Sequence, residues 1–405
     1  MTQNKLLHPH SNEPVLVPKY VTRFQCTGAA CPDTCCSGWN VAVDRATHDA
    51  YVQCDHTDLS PKLKKYIQVH TAPTERAAST ITRDETTGDC HFLSDGWCSI
   101  QSTLGEDWLS NTCSSFPRLN VRLGDTQFQS MSLSCPEAAR LALTDRDAFD
   151  FQAPVLHIRQ QDIHEVVSPW ALSVEQMQSI HTFALQVVRT TDLKLWERLV
   201  CLGLLCENLG GYFKANNFDG VDSVLVGIEE LICSGQVSEL TQPFEAAHGI
   251  QADFFRSLWL LGRNPHANAY QLALQNTVDR AANTEAHTHH YIAGLKALDA
   301  VLENSHPLLE HAVLNDMLQD LFPFSGAEPM HNFLKLVTRF GFLRWILANV
   351  CFELGDKATL DDLVQSAQQF YRKFRHNPAF ANALHESLSK AGWSTLDKAI
   401  PILKA

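Results

Sequence analysis

Residues 26–40 read CTGAACPDTCCSGWN: Cys26, Cys31 and the adjacent pair Cys35-Cys36, then Gly38 and Trp39. Four thiols in so short a stretch serve a disulfide staple, a metal site or a reactive centre. Further along, Cys90 opens CHFL, Cys98 sits in GWCSIQ, Cys113 in TCSSFPRL and Cys135 in SCPEAAR. Together they make eight cysteines expected in loops or at element ends, where side chains from distant segments can converge. Thiolates suit zinc and iron–sulfur clusters, both of which take about four sulfur ligands per site. Eight thiols serve two sites, or one site with spare reactive thiols. No paired C-x2-C knuckles of a zinc ribbon are present. Adjacent Cys35 and Cys36 point to opposite sides of an extended backbone, so one of the two is expected at any given centre.

The remaining cysteines read as core. Nine of the 13 lie between Cys26 and Cys135, and only Cys201, Cys206, Cys233 and Cys351 follow. Cys54 has no neighbouring partner. Cys201 and Cys206 are about 140° apart around a helix and cannot share a ligand face. Cys233 and Cys351 lie in apolar helical runs. The uneven distribution divides the chain into a cysteine-rich metal-binding unit, residues 1–155, and a helical domain, residues 156–405. The fold class expected is mostly α, with a small α+β cysteine-rich N-terminal unit.

Within the first unit, WNVAVD alternates, placing Trp39, Val41 and Val43 on one face of a strand. Asp44 caps a short helix through Tyr51. LNVRLGDTQFQSMSLS reads as a hairpin turning at Gly124-Asp125. SCPEAARLAL starts a helix, with Ser134 or Cys135 as cap and Pro136 at its first position. There the positive helix end is expected to favour the Cys135 thiolate. In the second unit Ser173 and Gln176 form a capping box, and Met177, Ile180, Ala184 and Val188 follow at helical spacing. Asp192 caps a second helix, whose apolar side carries Leu195, Leu199, Leu202, Cys206 and Leu209 and which Gly210-Gly211 ends. Further helices are expected near 221–233, 291–303, 309–320, 333–353 and 358–373. Asn264-Pro265 and the stretch from Pro323 to Gly326 mark loops. The HTHH run with His287, His289 and His290 reads as a solvated loop ahead of a helix.

The 405 residues are 45% hydrophobic and 19% charged, an ordinary globular balance, and the formal net charge is -13. So acidic a chain lacks the cationic excess that phosphate contacts require, so no nucleic acid partner is expected. No stretch approaches the ~20 apolar residues of a membrane span, and the N-terminal residues do not read as an export signal, so none is expected. The expected location is cytoplasmic, where thiols stay reduced unless a metal takes them. There is no G-x-G-x-x-G after a strand and no P-loop, so no Rossmann-type methyltransferase domain is expected.

The segments FQCTGAACPDTCCSGWNVAVD, CHFLSDGWCSIQSTLG, NTCSSFPRL and SLSCPEAARLAL resemble, in order and spacing over roughly residues 18–143, the flagellin lysine N-methylase family. That family shares its C-x3-CC signature with a wider group of zinc- or iron-chelating proteins. LWERLVCLGLL and LNDMLQDLFPF extend the likeness more loosely into the second unit. The resemblance implies methyl transfer from S-adenosylmethionine to lysine side chains of flagellin, or of another lysine-bearing protein. It also implies a 4Fe–4S cluster, with zinc as the alternative, drawn from Cys26, Cys31, Cys35, Cys36, Cys90, Cys98, Cys113 and Cys135. The alternative function is a non-enzymatic zinc- or iron-binding protein. The radical signature C-x3-C-x2-C is absent: Cys31 and Cys35 fit its first gap, and Cys36 breaks the second.

A lysine amine, with an ordinary pKa near ~10.4, must lose its proton before polar attack. Asp33, Asp44, Asp89, Asp95 and Glu137 lie beside the cysteine motifs, but each reads as a cap or turn residue, so no base is assigned. Trp39, Trp97 and Trp108 are of a type that walls methylammonium sites, with core packing the first expectation.

Overall fold

A computed structural model describes residues 7–168, 170–261, 275, 278–281, 283–302, 306–326, 328–375, 388, 392–393 and 395–405. Asn264-Pro265 lies outside them. The chain forms two compact units, residues 1–138 with 150–165, and residues 139–149 with 166–405.

The first unit is built of short strands and helices. Val41–Val43 and Ile67–Val69 flank Ser79–Ile81 in an antiparallel sheet. Asp44 closes the turn into the helix Arg45–Gln53, its Oδ1 accepting from Thr47 N at 3.0 Å. Asp44 Oδ2 also accepts from the backbone of Asn111 at 3.0 Å, which ties in the short helix Asn111–Ser115. The hairpin Arg118–Leu123 and Thr126–Met131 turns at Gly124-Asp125, and Ile163–Glu165 joins it in parallel register. His10–Pro14 pairs antiparallel with Val155–Arg159. No sheet among the described residues exceeds three strands, so the doubly wound nucleotide fold is absent from them.

The second unit is helical. Ser173 accepts from Gln176 N and the Gln176 side chain returns to Ser173 N, completing the capping box of Val174–Arg189. Met177, Ile180, Ala184 and Val188 are all buried on its inner side. Pro329–Leu354, 26 residues long, is apolar nearly all round and lies in the core, as such a helix must. Thr284–Val301 packs closely against it: a Cβ on Gly294 would stand 2.1 Å from the carbonyl oxygen of Ala348. Near the middle of the long helix its Arg339, together with Arg375, meets Asp316 and Asp320, with Asp320 within 2.9 Å of both guanidinium groups. No described helix is long and apolar enough to cross a membrane.

Several sequence expectations need correction. The second helix runs Leu195–Lys214, with Lys194 rather than Asp192 in the N-cap position, where Glu197 Oε2 accepts from its backbone N–H. Gly210-Gly211 does not end it, because Phe213 is buried against Trp170 and Phe218 and anchors one further turn. The HTHH run is helical rather than a loop: Asn283 caps Thr284–Val301, and His287 turns fully into the core beside Trp345. Cys233 is exposed because it closes its helix Val221–Cys233 on the side away from Val221, Val224 and Ile228. Trp39 stands outside the strand, 37% exposed, its indole donating to the Cys35 carbonyl at 2.6 Å. Trp97 is also outside the core, 56% exposed at a hairpin tip, and only Trp108 packs against buried apolar residues.

Candidate functional site

The cysteine loops close on one another through backbone contacts. Cys90 N–H donates to the Cys36 carbonyl at 2.7 Å, and Ser37 bridges to Asp89 beside it. Cys90 carbonyl accepts from Leu93 N at 2.9 Å, and Leu93 pairs across the tight hairpin with Cys98. Cys113 sits in the helix Asn111–Ser115, where the Ser110 hydroxyl accepts from its backbone N–H. Cys90, Cys98 and Cys113 rest on one apolar cluster that includes Val41, Tyr51, Ile81 and Phe92. The hairpin is held against the first cysteine loop by an edge with no room for a side chain. A Cβ on Gly28, at φ +55°, would stand 2.4 Å from the Trp97 ring. Cys113 is therefore helical rather than in a loop, and the other ligand candidates lie in loops or at element ends.

The thiols fall into two electrostatic groups. Cys36, Cys90 and Cys98 each disfavour ionisation of Cys113, which burial and these neighbours push up to about 12. Burial likewise raises Cys90 to about 11 and lifts Cys98, with Cys36 adding to both. Cys26 and Cys31 act in the same way on Cys135. Cys35 stands between the groups, hydrogen-bonded to Cys36 and within range of Cys113 and Cys26. In that pair Cys35 holds the proton and Cys36 is the easier thiol to ionise, because it accepts the hydrogen bond. Cys135 departs from expectation. Hydrogen bonds from Ala138 and Glu137 favour its thiolate, but burial outweighs them and lifts it to about 11.

All 13 cysteines are free thiols, so no disulfide staple is formed. Among the described residues no three His, Cys, Asp or Glu side chains already stand in ligating positions around one point. The fold thus supplies proximity of soft donors rather than a closed cage. Buried thiols with raised pKa values are donors whose ionised form a cation would stabilise.

The same unit holds a cleft of about 500 Å³ that the sequence reading did not find. Ser114 and Ser115, directly after Cys113, form part of its wall, with His10, Asp107, His157 and Asp162. The register His10↔Arg159 brings the two histidines together, their rings stacked at 4.0 Å. Asp107 Oδ2 accepts from Leu7 N at 2.9 Å, while its Oδ1 is buried without a hydrogen-bond partner. Burial raises Asp162 to about 6, with Arg159 and Arg76 opposing and Asp44 reinforcing the shift. Of the carboxylates weighed from sequence, Asp44 caps a helix and Asp95 occupies a turn at φ 51°.

A cysteine-rich unit whose described sheets reach at most three strands, and a unit whose described elements are helices, form the setting for the comparisons with known proteins. Residues 181–402 match the FliB lysine N-methylase C-terminal domain, and the chain belongs to that family. The chain is 23% identical over 394 residues to a lysine-N-methylase of Salmonella typhimurium, covering 92% of this chain and 95% of that protein. A lysine-N-methylase of Salmonella choleraesuis matches to the same extent. The flagellar biosynthetic protein FliU of Salmonella muenchen is 35% identical over 135 residues, 33% of this chain and 79% of that protein. No solved structure matches the chain.

Proposed function

We propose that the chain is a cytoplasmic protein-lysine N-methyltransferase that transfers methyl groups from S-adenosylmethionine to flagellin. We further propose that it carries an iron–sulfur cluster in its cysteine-rich unit. The observation that carries this reading is the gathering of Cys36, Cys90, Cys98 and Cys113 within electrostatic range, in a chain of the lysine N-methylase family. Four soft sulfur donors match the ligand count and chemistry of one 4Fe–4S cluster. When bound, the cluster would supply redox chemistry or a Lewis-acidic iron. The chain's own part is to hold the thiols on the apolar cluster of Val41, Ile81 and Phe92 and to keep the site half-buried. Cys26, Cys31 and Cys135, with Cys35 between the groups, form the remaining donor set.

That packing of Cys90, Cys98 and Cys113 on the core also favours a second reading, in which a zinc ion folds the unit and takes no part in chemistry. Anaerobic purification with iron and sulfide analysis separates the two. A brown protein with about four iron and four sulfide supports the cluster. Colourless protein with stoichiometric zinc, and no label moved from S-adenosylmethionine to flagellin, rejects it together with the enzyme reading.

A further inference from the structure

The cleft beside Cys113 has a chemistry of its own. A volume of about 500 Å³ is in the range of pockets that enclose a small ligand or an extended side chain with its flanking backbone. Its polar groups are unevenly satisfied. Arg159 also lines it, but its guanidinium is committed to the fold. One nitrogen donates to the Leu109 carbonyl at 2.9 Å and to Asn111 Oδ1, and the other to the Glu106 carbonyl at 2.8 Å. Arg118 lies over the Phe24 ring. Asp162 is not committed in this way: among the described residues no hydrogen bond reaches its carboxylate. A half-buried carboxylate without a donor costs free energy until a ligand supplies one. His10, which burial holds below its ordinary pKa, adds a neutral flat wall stacked on His157 rather than a competing cation.

We propose that this cleft receives the side chain of the substrate lysine, with the carboxylate of Asp162 binding its ammonium group and the stacked His10 and His157 rings flanking its methylene stem. An ammonium offers three donors and no acceptor, which is the complement of the uncommitted carboxylate here. The assignment rests on the lysine methyltransferase reading and places that reaction's substrate a few residues from the Cys113 thiol. Asp162, with a pKa of about 6, is ionised at pH 7.5 and available to a cation.

The test is calorimetric binding of a lysine-bearing flagellin peptide and of its acetyl-lysine counterpart to the full chain, wild type and Asp162→Asn. The variant is expected to weaken the lysine peptide about 10-fold or more, as loss of a charge-assisted hydrogen bond does, and to leave the acetyl-lysine peptide unchanged. On the wild type, n-butylamine should compete with the lysine peptide and n-butanol should not. This arm needs no variant to fold. Unchanged affinities, equal loss for both peptides, or no competition by n-butylamine would overturn the proposal. So would a variant that raises the KM for S-adenosylmethionine alone, which would make the cleft the methyl donor's site. The two readings fail separately. Methyl transfer with an unaltered flagellin KM in the variant sinks the cleft assignment only. Lysine-selective binding without any methyl transfer sinks the enzyme reading only.

Discussion

The backbone N–H of Cys90 donates to the carbonyl of Cys36 at 2.7 Å, joining two loops that are far apart in sequence. This bond places the first cysteine motif beside the second, and the Leu93–Cys98 pairing and the Ser110 cap on Cys113 complete the group. If the group is the cluster site, Cys36→Ala, Cys98→Ala and Cys113→Ala should each abolish bound iron after anaerobic reconstitution. Cys201→Ala, a buried thiol of the helical unit, should keep the wild-type iron content. Iron retained in all three of the first variants would exclude the group.

Gly28 faces the Trp97 ring in a left-handed conformation, so Gly28→Ala suffers both a clash and an unfavourable φ. The cost should be about 2 kcal/mol in the first unit, measured by urea denaturation. Replacing Trp97 by Ala in the same chain should recover the steric part and leave the backbone part. Equal costs with and without Trp97 would show that the hairpin does not bear on Gly28.

Asp162 has a folded pKa near 6, above its ordinary carboxylate value, because it is buried. The folded state therefore holds a proton that the unfolded chain has released, and stability falls as pH rises through the interval from about 4 to 6. Arg159, Arg76 and Asp44 are the charges that act on it. Asp162→Asn should raise the melting temperature at pH 7.5 and change it little at pH 4. The opposite ordering would contradict the assignment.

His181 shows the reverse sign. It is fully buried, its Nδ1 lies 2.8 Å from the Phe322 carbonyl, and burial lowers its pKa to about 4. The stabilisation is complete above pH 6.5 and is lost as pH falls from there through 4, where the unfolded chain takes up a proton that the folded state refuses. A shift of this size corresponds to about 3 kcal/mol. His287 and His311 are also lowered to about 4 by burial and add to the same acid lability. Denaturant titrations at pH 7 and pH 4.5 should show the loss, and His181→Asn, which keeps an amide donor, should reduce it.

Asp320 bridges Arg339 and Arg375, which hold its carboxyl far below the ordinary range despite burial. Asp320→Ala leaves two buried guanidinium groups without their shared partner and should cost about 3 kcal/mol or more. A change within experimental error would mean that Asp316 alone balances the pair.

Local chemistry was legible from sequence wherever one segment settled it. Asp44, Ser173 with Gln176, and the Gly124-Asp125 turn all occupy the positions expected, because a cap or a turn is decided within a few residues. Gly210-Gly211 misled because Phe213, two residues on, is held by aromatic partners outside the helix and outweighs the helix-ending tendency of glycine. His287 reads as polar in sequence, yet its helix turns it inward. The cleft carried no sequence signal at all. His10, Asp107 and the His157–Asp162 stretch come from separate segments; the pairing of His10–Pro14 with Val155–Arg159 brings the histidines together, and the short helix Asn111–Ser115 carries both Cys113 and the wall residues Ser114 and Ser115.

The most direct measurement is the mass of flagellin lysine peptides after anaerobic incubation with S-adenosylmethionine and the purified, iron-loaded chain, alongside its Cys98→Ala variant. The account predicts methyl increments on lysine with the wild-type protein and none with the variant. Unmodified flagellin in both incubations, or equal methylation in both, would contradict it.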